Sequence, residues 1–198
     1  MGVNDMRPVF LSASLPDPQR HEKYYESCDL VAIREATRAL AAVVLPRTQL
    51  VFGGHPAITP LVRRVASRLK QTKSVRVYQS DYFRNHFPVD NDAFDDLTIT
   101  DSVPNDRNAS LLLMRETMLG GMSDPIGVFV GGMDGVEEEH ALFVKIHSKS
   151  LALPIASTGA AARIIFDQVR SEFSERDQDE LMNNYAYEPM FARLLGYQ

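Results

Sequence analysis

PIGVFVGG (residues 125–132), running through Met133, Asp134 and Gly135 into VEEEHALFVKIHSKS (136–150), decides the fold. The first part is almost wholly apolar, as a parallel strand buried on both faces requires. The last part reads as a helix. Between them Gly131, Gly132 and Gly135 allow a sharp turn and a close approach to a ligand, and free amides at a helix start attract anions. Glu137, Glu138 and Glu139 bring negative charge to the same place. Acidic residues in a first turn complement the helix dipole, which accounts for two of the three. Successive side chains turn by about 100°, so at most one of them points squarely into a pocket. A ribose phosphate asks for both features: amides take the phosphate, and a carboxylate takes the ribose hydroxyls or an oxocarbenium-like centre.

Outward from this stretch, short apolar runs alternate with helical patterns. PVFLSAS (8–14) reads as a strand, followed by DLVAIREATRALAAVVL (29–45), whose Leu30, Ile33, Ala36, Leu40 and Val43 share a helical face. QLVFGGH (49–55) is a strand stopping at Gly53 and Gly54. It leads into the helix AITPLVRRVASRLK (57–70), with Thr59 and Pro60 near its start. SVRVYQSDYF (74–83) is a strand, and the polar, Asp-rich residues 84–104 form an exposed excursion with one short strand around LTIT. DRNASLLLMRETMLG (106–120) is a helix, LALPIASTG (151–159) a strand and AAARIIFDQVR (160–170) a helix. This order predicts an α/β fold with a parallel sheet flanked by helices, in one domain over 1–198. Its core spans about 8–170, with an appended helical segment at 171–198.

The bulk numbers narrow the function. At 198 residues, 44% hydrophobic and 24% charged, the chain is an ordinary globular one, and a formal net charge of -5 argues against a nucleic-acid binder. Cys28 is the lone cysteine, so neither an intrachain disulfide nor a cysteine metal cage is expected. His140 and His147 fall on one helix with no obvious third ligand, which sets a metal site aside. MGVNDMRPVFLSAS lacks the apolar region of an export signal, and no run reaches the roughly 20 apolar residues of a membrane span. A cytoplasmic protein without membrane attachment is the expectation.

Four strand ends carry small or glycine-rich residues: SAS, GGH, GGMDG and STG. Open parallel sheets bind ligands outside the carboxyl ends of their strands, so these ends converge on a nucleotide-type pocket. Arg115 lies in the helix before PIGVFVGG, either projecting toward that edge or pairing with a glutamate in solvent. His55 follows Gly53 and Gly54 directly, as a phosphate or base contact or as a polar loop residue. Met114, Met118 and Met122 read as packing. Tyr185, Tyr187 and Tyr197 read as aromatic packing or as a docking or lid segment.

With FLSASLPDP, VFGGHPAITPLVRRVA and MRETMLGGMSDPIGVFVGGMDGVEEE on the page, the chain resembles the SLOG superfamily over about residues 8–165. That Rossmann-like group includes the LOG cytokinin-activating phosphoribohydrolases, DprA-like proteins and sensor domains of some bacterial antiphage systems. The stand-alone and defence-associated branch is the most similar. The resemblance implies a Rossmann-like three-layer sandwich with a mainly parallel central sheet. It implies ligand contacts at Ser12, Ser14, Gly53, Gly54, His55, Thr59, Arg115, Gly131, Gly132, Met133, Gly135, Glu138, Thr158 and Gly159. Gly131 and Gly132 fall on the family's paired glycines, Glu138 on its final glutamate and Arg115 at the spacing of its catalytic arginine. An alternative alignment favours Glu139. Asp134 and Gly135 stand where the motif has glycine and threonine, Val130 replaces its proline, and Glu116 stands where the hydrolases carry lysine.

The resemblance thus implies a sensor of a nucleotide or NAD-derived, ADP-ribose-like ligand, requiring no cofactor, in a homo-oligomer or with an effector protein, and acting in antiphage signalling. The alternative is a LOG-like hydrolase that cuts the base–ribose bond, with Arg115 and Glu138 as its catalytic pair. A deoxyribosyltransferase-like enzyme is a third, weaker reading.

Overall fold

The computed structural model describes residues 6–19 and 22–197. Residues 1–5, part of the stretch read for an export signal, lie outside the described residues. The strands are β1 (Val9–Ser14), β2 (Leu50–Phe52), β3 (Val75–Ser80), β4 (Asp96–Thr100), β5 (Ile126–Gly131) and β6 (Ala152–Ile155). They pair in parallel throughout, in the order β4-β3-β2-β1-β5-β6. The helices are α1 (Glu22–Tyr25), α2 (Leu30–Val44), α3 (Thr59–Leu69), α4 (Arg107–Gly120), α5 (Asp134–Ile146), α6 (Ala160–Val169), α7 (Glu175–Asn183) and α8 (Tyr187–Leu194).

This is the three-layer α/β sandwich that the alternation implies. The chain lays β2 to β4 outward on one side of β1, then crosses back to place β5 on the other. Helices before and after that crossover therefore fall on opposite faces. α2, α3 and α8 pack on one face, and α4, α5 and α6 on the other. The reversal of strand order beside β1 is where such sheets open a crevice at their carboxyl ends.

The period-2 alternation of the strands feeds two cores. Val9 and Leu11 of β1, with Val128 and Val130 of β5, join the core under α2 and α8. Phe10 and Phe129 point the other way and meet Phe143 of α5. Phe10 stacks on Phe143 at 5.8 Å between centroids, and Phe129 meets both rings edge-on at 6.0 and 5.8 Å. All six residues of β5 are buried, which is why that stretch reads as one apolar run. Gly127 has no side chain for a packing reason: a Cβ there would stand 2.9 Å from Cζ of Phe143. Asp29 caps α2 by accepting the amides of Val31 and Ala32, and Asp106 caps α4 by accepting that of Ala109.

Boundaries move for local reasons. The run 49–55 keeps only Leu50–Phe52 as strand, because the backbone turns at Gly54 (φ 62°). The helix expected to reach 150 stops at Ile146, where His147 leaves helical conformation and sets its Nε2 2.9 Å from the Leu119 carbonyl of α4. Residues 84–104 hold the short strand around LTIT as β4, a half-exposed edge whose Asp96 pairs with Arg76 of β3 at 2.6 Å. The same excursion is anchored inward, with Phe94 buried edge-on to Phe52 at 6.4 Å. The segment after 170 buries Leu181, Tyr187, Met190 and Phe191 in the α2-side core, and the Tyr187 hydroxyl lies 3.1 Å from that of Ser157. Among the described residues no helix is long and apolar enough to cross a membrane.

Truncating the ring that joins β1, β5 and α5 tests this packing. Phe143→Ala should cost about 3–5 kcal/mol in urea unfolding with an unchanged m value. A loss below about 1 kcal/mol would mean that the three-ring cluster does not hold α5 to the sheet.

Candidate functional site

A cavity of about 990 Å³ opens at the carboxyl ends of β1, β2 and β3, between α4 and α5. Ser14 ends β1, Phe52 ends β2 with Gly53, Gly54 and His55 after it, and Gln79 and Ser80 close β3. Met133, Gly135, Val136, Glu138 and Glu139 come from the start of α5, and Met114 and Arg115 from the middle of α4.

The centre of its polar wall is Arg115. The side chain is 11% exposed and bridges α4 to α5. Its Nη1 donates to Glu138 Oε2 at 2.5 Å, its Nε to Glu139 Oε1 at 3.2 Å, and its Nη2 approaches the Gly135 carbonyl at 3.5 Å. Burial works against the charged guanidinium, but Glu139 and Glu138 more than offset it, so the pKa of Arg115 lies above its usual value. The expectation that one glutamate at most reaches the pocket is corrected. The guanidinium is broad enough to engage two carboxylates about 100° apart on the helix, while Glu137 turns away to accept from the Tyr24 hydroxyl at 2.9 Å. Glu139 is the enclosed member, at 15% side-chain exposure, and its other oxygen accepts from the Ser12 hydroxyl at 2.5 Å. Glu138 is 61% exposed and keeps Oε1 outside any hydrogen bond among the described residues.

Eight of the residues expected at the site line the cavity together: Ser14, Gly53, Gly54, His55, Arg115, Met133, Gly135 and Glu138. Six do not reach its wall. Ser12 is buried behind Glu139, and the buried Thr59 hydroxyl donates back to the His55 carbonyl at 2.9 Å. Thr158 accepts the Gly131 amide at 2.9 Å and donates to the Ile155 carbonyl, tying β5 to β6. Gly131 and Gly132 have positive φ, and a Cβ on Gly132 would lie 2.2 Å from Val136. The paired glycines thus make room for the first turn of their own helix. Gly159 does the same for the backbone of Ser27, whose carbonyl oxygen would be 1.7 Å from a Cβ.

Gly135 has a different reason to be small. A Cβ there would approach Arg115 Nη2 to 3.1 Å, so the missing side chain is the space the guanidinium fills. Gly54 plays the same part for Gln79, whose Nε2 donates to the Gly54 carbonyl at 2.7 Å and to that of Gly53 at 3.3 Å. This clamp fixes the turn that carries His55. The Nδ1 of His55 accepts the Ala57 amide at 3.2 Å, and burial lowers its pKa, which leaves a neutral ring protonated on Nε2.

A family model matches residues 23–195 of the chain. The chain belongs to the SLOG cluster3 family. A comparison with curated proteins finds no match. Membership supports a nucleotide-related function in general terms. Set beside the resemblance, this SLOG cluster3 chain departs most at α5, where Asp134 occupies the first position of the helix. Gln79, Phe83, His86, Arg107 and Lys145 also line the cavity and were not legible as site residues. Each lies outside the glycine-rich strand ends that served as the signal. Among the described residues no three His, Cys, Asp or Glu side chains gather as a metal site.

Two histidines of this SLOG cluster3 chain make its stability pH-dependent in a definite direction. Burial lowers the pKa of His55 and of His140, whose ring packs edge-on to Phe129 at 4.9 Å. In the unfolded chain both take a proton near pH 6.5, before the folded chain does. Their neutral forms therefore support full stability above about pH 6.5, and stability falls as the pH drops below it. Urea midpoints measured from pH 7.5 to 5.5 should decline on the acid side. His55→Asn combined with His140→Phe should flatten the slope; an unaltered slope would assign it to other groups.

Proposed function

We propose that this chain binds a nucleotide or NAD-derived ligand of the ADP-ribose type in the cavity between α4 and α5, and acts as a sensor that does not turn it over. One observation carries the reading: Arg115 is held by two carboxylates, and Glu138 retains an oxygen free to accept from a ribose hydroxyl pair. The arrangement suits a sugar better than a phosphate. The positive charge of Arg115 is already matched, and Asp134 adds negative charge at the helix start where a phosphate would seek amides. Binding is coupled in this reading to self-association or to an effector protein.

A second reading, a LOG-like hydrolase of the base–ribose bond, draws on the same carboxylates. Glu138 would support positive charge at the anomeric carbon, with Arg115 orienting the substrate. The engaged arginine disfavours it, because a catalytic group displaced by about 1 Å can lose on the order of a hundredfold in rate.

Thermal shift with AMP, NAD and ADP-ribose separates these outcomes. A ligand at a hundred times its dissociation constant adds roughly 2.7 kcal/mol, a rise of about 5–11 °C for a chain of this size. Glu138→Gln should abolish the shift, while the free protein, in which Glu139 still matches Arg115, should stay folded with a lower melting temperature. Chromatography of the same samples should return the ligand whole; released base would establish the hydrolase. No shift with any of the three would overturn the nucleotide reading.

A further inference from the structure

The segment between β3 and β4 and the first turn of α4 bring to the same cavity side chains that the sensor reading leaves unused. Phe83, His86 and Pro88 come from the two 3-10 turns at 81–86 and 89–93 and the residues between them, and Arg107 and Asn108 from the start of α4. Phe83 is half-buried. Its ring makes an edge-to-face pair with Tyr82 at 5.0 Å between centroids, and the Arg107 guanidinium lies over it, 5.8 Å from the centroid. Arg107 and His86 have no ion pair among the described residues, in contrast to Arg115.

The cavity is therefore uneven in charge. Glu138 and Glu139 neutralise Arg115 where α4 meets α5, Lys145 adds a cation further along α5, and the start of α4 and the segment at 83–88 bring Arg107, His86 and Phe83. An anionic ligand with a neutral, hydroxyl-rich end meets this division in one orientation only. Arg107 and Arg115 are eight residues apart on α4, a rise of about 12 Å. In a nucleoside monophosphate the base and the phosphate are both attached directly to one ribose, so with that ribose at Glu138 neither extends the roughly 12 Å to the start of α4. A ligand with two sugars joined through a pyrophosphate spans the gap.

We infer that Phe83, backed by Arg107, is the base-stacking platform of a second subsite, and that the ligand is a nucleoside-diphosphate derivative extending from Glu138 to this rim. The inference rests on the nucleotide reading of the cavity. A planar base on Phe83 gains stacking, and its phosphates come within reach of the free charge of Arg107.

Titration calorimetry of the wild type, Phe83→Ala and Phe83→Trp with ADP-ribose, AMP and ribose 5-phosphate tests it. Stacking of one base is worth about 1–3 kcal/mol, so Phe83→Ala should weaken ADP-ribose binding about five- to 150-fold. Phe83→Trp, which keeps an aromatic face, should bind ADP-ribose close to the wild type. Ribose 5-phosphate lacks a base and should bind all three proteins alike; a parallel loss there would place the damage at the acidic pole and overturn the platform. Equal ADP-ribose affinity in wild type and Phe83→Ala would also overturn it, while leaving the nucleotide reading intact. AMP binding as tightly as ADP-ribose would have the same effect. No binding of any probe by the wild type would overturn both.

Discussion

A guanidinium withdrawn from water must be matched by negative charge, and that requirement at Arg115 organises the functional half of this molecule. Removing such a group from solvent costs several kcal/mol unless good geometry offsets it. Here Glu138 and Glu139 provide the match from α5 across to α4. The consequences spread outward from that bridge. A Cβ at position 135 would crowd the guanidinium at 3.1 Å, and Ser12 of the central strand fixes the other oxygen of Glu139. α4 and α5 are thereby held at a set separation, and the space between them is the cavity.

The glycines and the carboxylates of the 131–139 stretch divide labour differently from what their chemistry suggests in isolation. Gly131 and Gly132 adopt positive φ so that β5 can turn into α5, and the Gly131 amide is already bonded to Thr158. A backbone donor engaged within the protein is not available to a phosphate. The acidic residues, which a dipole argument would place harmlessly in solvent, are the ones that face the pocket at Glu138 and Glu139. The site is thus built around a carboxylate pair, and the positive charges that line the cavity without an ion pair among the described residues include Arg107 and Lys145.

Most of the fold was legible because parallel strands buried on both faces leave continuous apolar runs, and β5 is the plainest instance. The candidate site was legible where it depends on local sequence. The turn carrying Gly53 to His55, the start of α5 and the spacing of Arg115 all show in short segments. Glu139 could be weighed only as an alternative to Glu138, since no local pattern says that one arginine reaches both. Gln79, Phe83 and Arg107 are set by tertiary placement: β3, the excursion after it and α4 meet only once the sheet is assembled. Tyr187, Met190 and Phe191 carry a helical period in the sequence, yet the face of α2 that receives them is evident only in three dimensions.

The two ends of the cavity also differ in what holds them. The acidic pole is carried by α4 and α5, two helices of 14 and 13 residues joined by the arginine bridge and seated on the Phe10, Phe129 and Phe143 cluster. The rim joins the first turn of α4, with Arg107 and Asn108, to short 3-10 turns that are held by Phe94 against Phe52 and by Asp90 paired with Arg63 of α3 at 2.6 Å. Changes at Phe83, His86 or Pro88 leave the aromatic cluster and the arginine bridge untouched, whereas a change at Gly135 or Glu139 moves the helices themselves. In the proposed sensor reading this asymmetry would divide the work: the helix-borne pole would set where the ligand sits, and the rim would set which ligand is accepted.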